Sequence, residues 1–119
     1  MREAFAHEAL VDMEPKADIQ ALGAAVTVAL CGQWQHEPPC PLAPHHTRAD
    51  RVGNQVRVRT LFAAEPQLEG EVRHRIDTCL ATGELRGPDG KVTLWWLRST
   101  RQSAVEAEEL DHAQRLIDS

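Results

Sequence analysis

The residues best suited to chemistry lie close together in the chain. His36, Cys40, His45 and His46 fall within eleven positions, with Glu37 beside the first of them, on a stretch that also holds Pro38, Pro39, Pro41 and Pro44. Imidazole nitrogen and thiolate sulfur are preferred ligands for zinc and related transition metals. Proline fixes φ, so a stiff loop loses less entropy when it gathers around an ion. These four residues are therefore the expected metal ligands, for zinc or another transition metal. Their spacing, H-x3-C-x4-H-H, matches no finger or ribbon pattern. The competing expectation is a proline-rich loop that is fixed by packing Trp34 and Leu42 and simply exposes its histidines. A second chemistry is a nucleophilic Cys40, held between Pro39 and Pro41, with His36, His45 or His46 as base. No third, orienting residue can be picked out, so no catalytic residue is assigned.

Two further groups suit recognition. Arg57 and Arg59 are two apart, which on a strand places them on one face, suited to an anionic ligand or an acidic partner. Glu106, Glu108, Glu109 and Asp111 supply acids that could meet them within one chain or across a dimer; the plain alternative is a solvated charged face. Trp95 and Trp96 are adjacent, so on a strand one enters the core. The other faces outward, under a helix, in an interface or, with Trp34, against a planar ligand. Phosphate loops, GxSxG elbows, HExxH and EF-hand patterns are absent from the sequence.

Composition bounds these possibilities. The chain has 119 residues, 42% of them hydrophobic and 26% charged, which fits one globular domain with its own core. Its net charge of −5 opposes general nucleic-acid binding. Three cysteines, an odd number without a CxxC, fit reduced thiols, and the first residues lack the apolar region of a signal peptide. The longest apolar stretch, Leu22 to Cys31, is far short of the roughly 20 residues a membrane helix needs. The expectation is a cytoplasmic protein without membrane or nucleic-acid partners.

The elements that must position these residues follow from periodicity. Phe5, Ala6, Ala9, Leu10 and Met13 share a helical face, which predicts a short N-terminal helix within residues 1–15, ended by Glu14-Pro15. Residues 18–33 carry two patterns: Ile19, Leu22, Val26, Ala29 and Leu30 fit a helix, while the β-branched run Val26, Thr27, Val28 favours an inner strand over 24–33. Residues 34–53 are expected to form a long Pro/His-rich loop. Asn54 to Ala63 alternates as a strand with Val56, Val58, Thr60 and Phe62 inward and Arg57 and Arg59 outward. Pro66 to Thr82 is a helix with a stripe of Leu68, Val72, Ile76, Cys79 and Leu80, closed by Gly83. Glu84 to Arg86 is a short strand, Gly87-Pro88-Asp89-Gly90 a turn, and Lys91 to Ser99 its strand partner. Ser103 to Glu106 has the form of a capping box opening a last helix, whose face is Ala107, Leu110, Ala113 and Ile117.

This order resembles a rearranged ferredoxin-like domain. The expected architecture is α+β: a two-layer sandwich, one mixed or antiparallel sheet of three to four strands with helices mainly on one face. The expected function is a non-catalytic binding or interaction module acting as a homodimer, through the sheet or the outward tryptophan, with metal binding by the loop as the alternative.

Overall fold

The computed structural model describes residues 1–31 and 43–119. It is an α+β fold around a four-stranded antiparallel sheet of order β2-β3-β1-β6, with a separate two-stranded sheet, β4-β5. The strands are β1 (Glu3–Asp12), β2 (His45–Val52), β3 (Gln55–Ala64), β4 (Glu84–Arg86), β5 (Val92–Leu94) and β6 (Trp96–Ser103). The helices are α1 (Gln20–Cys31), α2 (Glu69–Thr82) and α3 (Leu110–Ile117). Without the β4-β5 hairpin and α3, the element order is the βαββαβ plan of ferredoxin-like domains.

The N-terminal segment is a strand, not the expected helix. β1 lies in the middle of the sheet, with β3 on one side and β6 on the other. Helices pack over both its faces, and Ala6, His7, Glu8 and Ala9 are buried in succession. A strand buried on both faces loses its two-residue alternation, which let the helical spacing of Phe5, Ala9 and Leu10 mislead. Residues 24–33 err in the opposite sense, since α1 is a helix through Cys31. Its buried positions, Leu22, Ala25, Val26 and Leu30, keep the three-to-four spacing. Asp18 starts it, accepting the Gln20 N–H at 2.9 Å. Packing of this apolar face outweighs the modest helix cost of Val26, Thr27 and Val28.

The expected loop ends early. Beyond Pro44 the chain becomes β2, an edge strand turned into β3 at Gly53, whose φ is 65°. β2 escapes detection because it is polar: His45, Thr47 and Ala49 are half-buried while His46, Arg48 and Asp50 are exposed. Residues 32–42, with Trp34, His36, Cys40 and Leu42, lie outside the described residues.

β3 and α2 form as expected, α2 after a 3₁₀ turn at Pro66–Leu68. Gly83 then takes φ 75°, and a Cβ there would sit 2.8 Å from the Trp95 carbonyl oxygen. That close approach joins the two sheets. The Trp95 N–H donates to the Gly83 carbonyl at 2.9 Å, and its indole Nε1 donates to the buried Leu80 carbonyl at 2.8 Å. The expected strand over 91–99 is consequently broken at Trp95: β5 pairs with β4, and β6 pairs with β1.

α1 and α2 cover one face of the sheet, over a core that includes Val11, Leu22, Val26, Val56, Val58, Phe62, Val72, Ile76, Leu80 and Trp95. Each such side chain contributes about 1.5–3 kcal/mol when fully buried. α3 returns over the other face, where Leu116 closes a small cluster on Ala6, Leu61 and Ala63. The capping box that opens its first turn is Glu106 with Glu109, not Ser103 with Glu106, because β6 runs through Ser103. Its inward residues are Ala113 and Leu116, while Leu110 is exposed. Among the described residues no helix is long and apolar enough to cross a membrane.

Candidate functional site

The face under α3 is organised in cross-strand rows, because directly paired residues of an antiparallel sheet share a side. One row reads Arg48, Arg59, Glu8, Arg101 across β2, β3, β1 and β6. Arg59 is its centre and is only 4% exposed. Its Nη1 donates to Glu8 at 2.8 Å and to the Ser103 hydroxyl at 2.8 Å. Its Nη2 and Nε donate to Glu109 at 2.7 and 2.9 Å, and Nη2 also to the Ala104 carbonyl at 2.7 Å. Arg59 is thus spent inside the chain, a correction to its expected role toward a partner; it meets Glu8 and, among the C-terminal acids, chiefly Glu109, all within one chain. Its hydrogen bonds bring the Glu109 carboxyl down to about 2. Burial pushes Glu8 upward, but hydrogen bonds from Arg101 and Arg59 outweigh it and hold its carboxyl below the ordinary range. Arg59 itself is pushed upward, first by its bond to Glu109.

Beyond this row α3 no longer covers the sheet. The next row is Asp50, Arg57, Leu10 and Ser99, and the last is Val52, Gln55, Asp12 and Trp96. Trp96 is 51% exposed and Val52 44%. They flank a shallow depression of about 730 Å³ with Asp12, Asn54 and Gln55. Asp12 is held by Arg98 and by the Gln55 amide at 3.2 Å, and the Arg98 bond lowers its pKa. Arg57 is exposed. Of the adjacent tryptophans, then, Trp96 is the outward one. Trp95 is fully buried, which removes it from the candidate interface residues.

The candidate ligands divide. His45 and His46 are neighbours on β2 and point to opposite faces, so one ion cannot take both. His45 faces α1: its Nδ1 donates to the Ala43 carbonyl and its Nε2 lies 3.1 Å from the Thr27 hydroxyl. His46 faces α3, its ring centroid 4.6 Å from that of His112. Burial, then His112 and Arg48, lower its pKa. His36, Cys40 and Trp34 lie outside the described residues. Among the described residues no group of three or more His, Cys, Asp or Glu side chains is placed to hold a metal ion.

Sequence reasoning missed a buried polar network between β1 and α2. His7 is 4% exposed, with Nε2 2.7 Å from Asp77 and Nδ1 3.0 Å from Arg73. Arginine can only donate, so Nδ1 accepts and Nε2–H donates to Asp77. Arg73 also donates to the Ala6 carbonyl and to Glu69, and lies over the Phe62 ring. Only the burial of β1 on both faces reveals this network, and the helical reading of that segment concealed it. Cys79 donates to the Ile76 carbonyl, and burial pushes its thiol up to about 12, far from a nucleophile.

In comparison with known proteins, no protein-family model and no curated sequence matches this chain.

Proposed function

We propose that this chain is a non-catalytic binding module that acts as a homodimer, joined through the uncovered end of the sheet around Trp96. The observation that carries this reading is the half-exposed indole at one end of a depression whose other end is Val52, on sheet surface that α3 stops short of. Trp is the residue most enriched among interface hot spots, because it buries much area at small entropic cost. The surrounding charges favour a second copy as the occupant. Arg57 forms no ion pair among the described residues, and Asp50 stands beside it in the same row, bound only to Arg48. A two-fold axis places a residue of one copy against a different residue of the other in both directions. The indole of each protomer then packs on the uncovered end of its partner's sheet, with Arg57 and Asp50 at the rim. The non-catalytic reading is supported by the structural bonds that occupy His7, His45 and Cys79.

Light scattering after size exclusion tests this. The expected wild-type mass is twice the 13.3 kDa of one chain, and Trp96→Ser halves it without changing the far-ultraviolet spectrum. A wild type that stays monomeric at its highest soluble concentration refutes the dimer, and a Trp96→Ser variant that stays dimeric refutes its location.

A further inference from the structure

We propose that His46 and His112 form a two-imidazole site for a divalent transition metal such as zinc, nickel or copper, bridging the edge strand β2 to α3. The site shares no protein ligand with the Trp96 surface and does not depend on the dimer.

The two rings come from elements 66 positions apart in the chain and still meet, with centroids 4.6 Å apart and planes inclined by 50°. Zinc–nitrogen bonds of about 2.0–2.1 Å allow two ligand nitrogens to stand up to about 4 Å apart around one ion. Tilted rings at this spacing bring their edges within that reach. The buried His7 and the half-buried His45 contrast with this pair. His7 and His45 have both ring nitrogens engaged by protein atoms. Among the described residues neither the His46 ring nor the His112 ring has a hydrogen-bond partner. Their nitrogens are therefore uncommitted, which is the condition for ligation, and the exposure of His46 leaves an entry path.

The local charge suits a cation. Arg48 lies two residues from His46 on the same face, but Asp50 holds its guanidinium at 3.0 Å. Asp111 adjoins His112, and Glu108 and Glu109 occupy the turn before it. With two protein ligands, water completes the coordination, as imidazole-rich sites with open positions do. The ion would tie α3, which contributes few apolar anchors of its own, to the edge of the sheet. Binding only to the folded chain raises stability by mass action.

Chelator-stripped protein titrated with zinc, nickel and copper salts, followed by calorimetry and by thermal unfolding, tests the proposal. One ion per chain and a raised melting temperature are expected. His46→Gln and His112→Gln should each weaken binding at least about 10–100-fold. His36→Ala and Cys40→Ala should leave it unchanged, as should the Trp96→Ser variant. Absence of binding overturns the site, and so does binding that survives both glutamine substitutions. Binding lost only with His36 or Cys40 overturns it too. Circular dichroism of the glutamine variants confirms that they fold.

Discussion

The face of the sheet under α1 and α2 and the face under α3 are built from the same four strands and hold together by different means. Under α1 and α2 the strands contribute Val11, Val56, Val58 and Phe62, and the helices answer with Leu22, Val26, Val72, Ile76 and Leu80. Under α3 the apolar contacts shrink to Leu116 on Ala6, Leu61 and Ala63, and the centre is a buried arginine between two carboxylates. Apolar packing is nondirectional and tolerates repacking, whereas a buried ion pair stabilises only while every partner is present. One face therefore secures the fold, and the other is shaped by polar contacts that stop before the sheet does, leaving Trp96 and Val52 uncovered.

Substitutions can break this contrast or sharpen it. The largest effect is expected from Trp95→Ala on the apolar side. It costs about 3–5 kcal/mol in urea unfolding, since a large cavity opens and the Leu80 carbonyl loses its donor. Close behind is Arg59→Met, which leaves Glu109 without its guanidinium and Glu8 with Arg101 alone, and costs about 3–5 kcal/mol. Pairing it with Glu109→Leu should recover about 1–4 kcal/mol, because the orphaned charge goes with its partner. A double variant no more stable than Arg59→Met would mean that the second face depends on shape, like the first. Gly83→Ala, at the joint between the sheets, should cost about 1–3 kcal/mol, because its φ of 75° and the nearby Trp95 carbonyl both resist a side chain.

Acid should act on the second face first. Glu109 is held at about 2 in the folded chain, below the roughly 4.3 of an unfolded glutamate. Its contribution is therefore complete above the unfolded value and disappears as pH falls through the folded one. Urea midpoints should decline between about pH 4.5 and 2, and Glu109→Gln should flatten that decline while lowering stability at neutral pH. The smallest stability effect belongs to Trp96→Ser, within about 0.5 kcal/mol, although the dimer should dissociate. A large loss of monomer stability would make Trp96 part of the core.

The same contrast explains what was legible from the sequence. β3 announced itself because one face is regularly apolar, and α2 because Val72, Ile76 and Leu80 recur at helical spacing before Gly83. Both carry a regular apolar pattern in the sequence, although β3 is buried on both faces from Val58 to Ala64. β1 and α1 exchanged identities for different reasons: burial on both faces erases the alternation of β1, while the β-branched run Val26, Thr27, Val28 overrode the helical spacing that α1 keeps. β2 left no apolar trace because it lies at an edge. At the site, the adjacency of Trp95 and Trp96 was enough to foresee that they part company, but which one faces outward depends on the break before β6. The acids near the C-terminus and Arg59 were both visible. Their union needed the register of β3 against β1 and the turn that precedes α3. No local signal links His46 to His112, since the pair exists only after α3 folds back across the sheet.

β1 precedes in the chain everything it pairs with. Its neighbours begin more than forty and more than eighty residues later, at Gln55 and Trp96. Loops of that length must close before the central ladder rewards them, which slows folding relative to a helical bundle of the same size. During synthesis β1 emerges before the strands that flank it and waits longest to be paired on both sides. Until then its unpaired backbone is open to other chains, and Glu3, Glu8 and Asp12 give such pairing an electrostatic cost.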